Sequence, residues 1–500
     1  MIPALLSLAL AATACPKSGC VKGDEDGAVH RFRGIPYAAP PVGPLRWKPP
    51  QALPPWKETR DALAFSKSCV QKGSPLTGEL ETDEDCLTLN VWTSKVDPKA
   101  KLPVMVWIHG GGLVNGSSSQ VIYDGARLAS KGVVLVSINY RLGAFGYFAH
   151  PDHLTGNQGL LDQLAALKWV QQNISAFGGD PAKVTVFGES AGGLSVATLL
   201  STPLAKGLFA RAVIESGSFV DPGRRCRPLS GAESAEDQGL RLQKALGCEN
   251  LECMRKKSAA EVLEALPGQA GFIGKGERYG LTVDKVALTE CPRAALEAGH
   301  TLKMPVMVGT NGDEGTLFTI GHPIKRELGF NWIVGKLYGS GADKVKAAYP
   351  FKDYASPKAT FDALLGDAIF TCSARVAARQ LSEHGSTVYR YLFAHVPGES
   401  KLGAFHGSEI SYVFGTLGTR KSPTEDERKL SESMQDAWVR FAQTGDPNGG
   451  GLSWPKYAKD DPYVRFELST TVEHGLRTAQ CDTLDSVKLG EHEGEGSGEE

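Results

Sequence analysis

The first residues that could do chemistry lie in Lys183–Leu200, which reads K-V-T-V-F-G-E-S-A-G-G-L-S-V-A-T-L-L. A β-branched and aromatic run, Val184 to Phe187, leads into a turn of small residues. A segment with apolar residues at Leu194, Val196, Ala197, Leu199 and Leu200 follows. That order predicts a strand, a sharp turn and a helix with Ser190 at the apex, the setting a nucleophilic serine needs in a G-x-S-x-G pattern. The reason is steric. The hydroxyl must project from a strained turn, and Gly188 and Gly192 let neighbouring backbone close in without Cβ clashes. With 58 glycines in 500 residues, chance alone supplies roughly half a match to the pattern. Ser190 therefore counts only if the chain also supplies a base, an acid to orient it and donors for an oxyanion.

Downstream of Ser190, two adjacent acids follow a strand-like run in Gly309–Gly315 (G-T-N-G-D-E-G), Asp313 and Glu314. Farther on, His406 lies in the glycine-flanked loop 403–407, after the run Val388–Ala394, and His395 lies directly behind the same run. Position alone leaves both choices open. The order serine, acid, histidine suits an α/β hydrolase, where strand ends deliver side chains to one edge of a sheet. Donors for the oxyanion are available in Gly110–Gly112, which follows the strand-like run Val104–Ile108 and His109, and in the N–H of Ala191.

Several elements must position these groups. Leu87–Trp92 and Val133–Asn139 read as further strands, and Leu160–Asn173 carries a helical apolar period. Ala212–Ile214 and Met304–Gly309 are strand-like, Val388–Ala394 reads as the last major strand, and Leu430–Thr444 as a late helix. Ala232–Leu246 and Ala259–Leu266 read as helices of an insertion after the nucleophile region. The alternation argues for an α/β fold with a large, mostly parallel, twisted central sheet flanked by helices. Gly23–Pro50, rich in proline and glycine, reads as extended edge strands and turns.

Hydrophobic content of 41% and charge of 22% fit a globular chain with a substantial core. A formal net charge of −2 gives no electrostatic reason to expect a nucleic acid partner. The apolar stretch at residues 1–14, ending Ala12-Thr13-Ala14, resembles a signal peptide cleaved after Ala14, although no Lys or Arg precedes it. A buried first helix or strand is the competing reading. The same residues also resemble a lipoprotein signal that would lipidate Cys15, the one route by which a membrane enters. Export, secreted or periplasmic, suits ten cysteines. The expected folded region is a single domain over residues 21–485, and the Gly- and Glu-rich tail 490–500 reads as disordered.

At this point the chain resembles a type-B carboxylesterase, the family that also holds cholinesterases, fungal lipases and neuroligins. The likeness runs from about Val21 to about Cys481. It is carried by R-G-I-P-Y-A-A-P-P-V-G-P-L-R-W-K-P-P at Arg33, E-D-C-L-T-L-N-V-W at Glu84, H-G-G-G at His109 and N-Y-R-L-G-A-F-G-Y at Asn139. G-N-Q-G-L-L-D-Q at Gly156, F-G-G-D-P at Phe177, F-G-E-S-A-G-G at Phe187, N-G-D-E-G at Asn311, F-H-G-S-E at Phe405 and T-G-D-P-N at Thr444 continue it.

The resemblance implies an α/β-hydrolase fold and a triad of Ser190, Glu314 and His406, selecting Glu314 over Asp313 and His406 over His395. It implies oxyanion donors at Gly111, Gly112 and Ala191, and site support from Glu189, Ser216 and Glu409 in one hydrogen-bond network. It also implies ion pairs Arg46–Glu84 and Arg141–Asp162, and disulfides Cys69–Cys86, Cys248–Cys253 and Cys372–Cys481. Cys15, Cys20, Cys226 and Cys291 have no family partner, though Cys15 and Cys20 could pair. The implied activity is hydrolysis of small-molecule carboxylic esters through a serine acyl-enzyme, with no metal or organic cofactor. An interfacial lipase and a non-catalytic, neuroligin-like binding protein are the alternatives. Two departures matter. The Cys69–Cys86 loop is short and holds no aromatic residue to bind a quaternary ammonium, which argues against choline esters. Leu113 replaces the aromatic that many relatives carry after the third glycine.

Overall fold

The computed structural model describes residues 12–73, 78, 80–152, 154–217, 219, 233–271, 275–322, 324–398, 400–418 and 422–487. The strands that carry the site are Asp24–Asp26 (β1), Val29–Pro36 (β2), Thr88–Thr93 (β3), Leu102–Ile108 (β4), Val134–Ile138 (β5) and Gly179–Glu189 (β6). Arg211–Glu215 (β7), Val306–Asn311 (β8), Val388–Phe393 (β9), Pro462–Phe466 (β10) and Thr471–His474 (β11) complete the sheet. They form one 11-stranded sheet in the order β11-β10-β9-β8-β7-β6-β4-β5-β3-β2-β1. The run from β10 to β5 is parallel throughout, and antiparallel strands close both ends.

A parallel strand needs apolar residues on both faces, and β4 has them. Val104, Val106 and Ile108 enter one core layer, while Met105 and Trp107 enter the other. The first layer is covered by helices Gln158–Asn173 (α1) and Ala191–Ser201 (α2), the second by helix Glu425–Thr444, which brings Leu430, Met434, Trp438 and Phe441. That last helix begins five residues before the expected Leu430. Its first turn is acidic and has no apolar period, but Thr424 caps it reciprocally with Glu427.

After β7 come Ala235–Ala245 (α3) and Ala259–Ala265 (α4) of the expected insertion. Helices Glu327–Tyr338 (α5), Ala342–Ala348 (α6) and Pro357–Gly366 (α7) then build a third, separate core around Phe330, Val334, Val345 and Phe361. The edge at Val388–Ala394 is corrected, because β10 and β11 follow it in the sheet. β10 opens on Pro462 and carries Arg465, which breaks its apolar run, yet Tyr463, Val464 and Phe466 are buried.

Disulfides join Cys69–Cys86, Cys248–Cys253, Cys372–Cys481 and also Cys15–Cys20. Cys226 and the 490–500 tail lie outside the described residues. Thr13–Ala14 pairs antiparallel with Val21–Lys22, and Ala14 is buried. Arg141 grips Asp162 through two 2.7 Å bonds, both side chains buried, and Arg46 pairs with Glu84 while donating to the carbonyls of Met254 and Lys257. Through Arg46 the N-terminal region is tied to the insertion. Among the described residues no helix is long and apolar enough to cross a membrane.

Candidate active site

Ser190 stands between β6 and α2 with φ 57° and ψ −122°, a conformation that side-chain-bearing residues rarely adopt. Its N–H is spent on the Glu215 carbonyl at 2.9 Å, and Leu194 N–H returns to the Ser190 carbonyl at 2.9 Å. The glycines make this turn possible. A Cβ on Gly192 would stand 2.0 Å from the Ile108 carbonyl oxygen, and one on Gly188 would stand 2.6 Å from it. The turn is thus pressed against the end of β4, where the glycine loop begins. The Ser190 hydroxyl makes no hydrogen bond among the described residues and is partly exposed.

His406 is buried, with its ring wedged against Phe370 at 4.5 Å and Phe318 at 4.9 Å. Nδ1 lies 2.6 Å from Glu314 Oε2. Glu314 Oε1 accepts from Ser216 Oγ at 2.6 Å and from the Asn311 backbone N–H at 2.7 Å. Every oxygen of this buried carboxylate therefore has a partner, and its only side-chain base is the imidazole. Nε2 of His406 makes no hydrogen bond of acceptable geometry, although Glu189 Oε1 lies 3.1 Å away. Asp313, the other acid of the pair, accepts from Ala404 N–H at 2.8 Å and so holds the loop that carries His406. His395 faces Glu427 at 3.2 Å and the Tyr412 ring, a different environment.

Behind the imidazole four glutamates are buried together. Asn311 Nδ2 donates to Glu409 Oε2 and to the Phe405 carbonyl. Trp438 Nε1 donates to Glu215 Oε1 at 2.7 Å. Glu189 Oε1, Glu215 Oε2 and Glu409 Oε1 have no hydrogen-bond partner among the described residues. Burial, and then the like charges of Glu189 and Glu314, push the Glu409 carboxyl up to about 8. Burial first, with Glu314 and Glu215 adding to it, raises Glu189. Burial and Glu409 raise Glu215 against the Trp438 hydrogen bond. All three carboxyls are thus displaced upward from the ordinary carboxylate range. Ser216 joins the network through Glu314, a correction to the expected link with Glu189 and Glu409.

The glycine loop supplies the opposite wall. Gly111 and Gly112 adopt φ 110° and 63°, and Leu113 follows at φ 62° while buried. A Cβ on Gly110 would stand 3.1 Å from Ser190 Cβ, which brings the loop against the nucleophile turn. His109 braces it. Nδ1 lies 2.8 Å from the Gly110 carbonyl and the ring stacks on Tyr140 at 4.6 Å. Burial lowers the His109 imidazole to about 4, against the opposing pull of the Gly110 bond, so it stays neutral with its proton on Nδ1.

The fold brings Glu314, His406, Glu189, Ser216 and Glu409 into one cluster and sets the loop of Gly111 and Gly112 against the turn of Ser190 and Ala191. Sequence reasoning did not single out Asn311, Glu215, Phe318 or Phe370. Asn311 and Glu215 end parallel strands at the edge where the other site residues cluster, which is the signal they carried.

A strained serine turn at the end of a parallel strand, with a buried glutamate and a histidine supplied by later segments, is the arrangement of the α/β-hydrolase fold. A family model described as "Carboxylesterase family" matches residues 11–484, and the chain belongs to that family. It is 38% identical over 486 residues to a fumonisin B1 esterase of Sphingopyxis macrogoltabida, covering 92% of this chain and 87% of that protein. It is 37% identical to the para-nitrobenzyl esterase of Bacillus subtilis (88% and 92% covered), and 36% identical to a cholinesterase of Mus musculus (93% and 85%). A solved PNB esterase structure superposes with a TM-score of 0.83 at 34% identity, covering 94% of this chain and 99% of that one. The chain is a carboxylic-ester hydrolase acting on small-molecule esters.

Proposed function

We propose that the hydrolysis runs through an acyl-enzyme on Ser190. His406 Nε2 takes the hydroxyl proton as the oxygen attacks the ester carbonyl, and Glu314 holds the imidazole by Nδ1 and stabilises its charged form. The N–H groups of Gly111, Gly112 and Ala191 receive the oxyanion. His406 then gives its proton to the leaving alcohol, and water repeats the sequence on the acyl-enzyme. The observation that carries this reading is the asymmetry of His406. Nδ1 is engaged by a fully partnered glutamate, while Nε2 makes no hydrogen bond and lies 3.1 Å from Oε1 of Glu189, the residue before Ser190. Ser216, Glu189 and Glu409 support the site by holding Glu314 and by lining the imidazole.

Ordinary esters suit this chain better than choline esters, because the Cys69–Cys86 loop offers no aromatic face for an ammonium group. Four disulfides support export. Cys15 is paired with Cys20, which leaves no thiol there for a lipid. Intact mass of the exported protein tests this. Ser190→Ala tests the mechanism on a short-chain aryl ester. We expect kcat to fall by at least about a thousandfold with the fold retained, and a variant with full turnover would exclude Ser190 as the nucleophile.

A further inference from the structure

Helix α5 is apolar on two opposite sides. Phe330, Val334 and Tyr338, four residues apart, are buried against the core that Val345, Phe361 and Leu364 complete. Leu328 and Trp332, also four apart, project the other way and are 77% and 65% exposed. Ile320, a short way upstream, is 57% exposed. Scattered exposed leucines need no explanation, but an exposed tryptophan one turn from an exposed leucine on the same helix face points to a surface that meets something.

The rim of this surface is basic. Lys325, Arg326 and Lys336 are exposed, and none of them makes an ion pair among the described residues. Arg326 is the N-cap of α5, where the helix dipole disfavours cations, and only Glu327 in the first turn opposes them. In sequence the helix follows closely on the catalytic wall. The turn Glu314–Thr319 carries Glu314 and places Phe318 on the His406 ring, and Ile320 follows directly.

We infer that this face of α5 docks on an anionic lipid bilayer, with Trp332, Leu328 and Ile320 entering the headgroup region and the three cations meeting phosphate groups. Tryptophan and leucine beside Lys and Arg is the combination by which interfacial helices hold to such surfaces. A second copy fits worse. A two-fold contact would set the same uncompensated cations against themselves. Docking in this pose keeps the active-site wall beside a store of lipid-dissolved esters. That consequence rests on the esterase reading, whereas the binding does not.

Trp332 is the exposed one of eight tryptophans, the others being buried or half-buried, so its emission reports contact. The full chain is mixed with vesicles of phosphatidylglycerol and phosphatidylcholine, and separately with phosphatidylcholine alone. The readouts are flotation, emission and quenching by brominated lipid. The expected result is a blue shift and quenching on the anionic vesicles. Leu328→Ser should weaken binding about tenfold, and Lys325→Glu or Arg326→Glu should each weaken it at least about fivefold. No flotation and no shift overturns the proposal, as does a blue shift that grows with protein concentration without lipid, which would mean self-association. Ser190→Ala should bind vesicles like the wild type. Absent vesicle binding with intact turnover of a soluble ester sinks the docking surface alone. Intact vesicle binding with full turnover in Ser190→Ala sinks the catalytic reading alone.

Discussion

Glu409→Gln separates the cost of a buried carboxyl from its packing. Glu409 is fully buried, and its Oε2 accepts from Asn311 while Oε1 has no partner among the described residues. Burial and the neighbouring Glu189 and Glu314 raise it from 4.5 to about 8. With the folded value above the unfolded one, the native state binds more protons between those two pH values. The stability this contributes is fully present below about pH 4.5 and is lost as pH rises through about 8. At about 1.4 kcal/mol per pH unit, the interval amounts to about 5 kcal/mol by about pH 9. Glutamine keeps an acceptor for Asn311 and cannot ionise. Urea denaturation should therefore find the variant within about 1 kcal/mol of wild type at about pH 5. At about pH 9 the variant should be the more stable by about 4 kcal/mol. Parallel pH dependence in the two proteins would refute the reasoning, because it would mean that Glu409 binds protons equally in the folded and unfolded states.

Two other perturbations probe neighbouring parts of the account. Ser216→Ala removes one of the donors to Glu314 Oε1 and leaves the Asn311 N–H in place. Steady-state kinetics should show kcat down by about tenfold with KM little changed, since a charge-assisted bond of about 1.5 kcal/mol is lost where the imidazolium forms. Replacing Cys372 and Cys481 together by serine opens a link across 109 residues of sequence. Loop closure predicts a loss of about 4–5 kcal/mol, read as a lower denaturation midpoint with the rate on soluble esters unchanged in the absence of urea.

The strands nearest the site were legible because parallel, doubly buried strands need continuous β-branched and aromatic runs, as in Val184–Phe187 and Val104–Ile108. Glycines marked the turns for the same physical reason, since the contacts at Gly188 and Gly192 leave no room for a Cβ. β10 and β11 were not legible, because a short edge pair that starts with proline and carries charge looks like a loop. Helices α5 to α7 escaped because their core is made among themselves, and α5 is apolar on both sides, which blurs its helical period. At the site, residue types could not choose between Asp313 and Glu314 or between His395 and His406; the family likeness chose. The separation of those side chains is tertiary, with Asp313 turned to the Ala404 N–H and His395 to Glu427. Glu215 was missed because a lone acid at a strand end has no local signature, and only packing brings it beside Glu189 and Glu409.

In the mechanism proposed above, one hydroxyl, that of Ser190, carries the acyl group. An organophosphate forms a stable adduct on such a serine, so intact-mass and peptide-level spectrometry on the labelled protein test it most directly. One adduct per chain is expected, on Ser190, with esterase activity lost in proportion to labelling and no adduct on Ser190→Ala. An adduct on any other residue that tracks the loss of activity, or full activity in a chain fully labelled at Ser190, would contradict it.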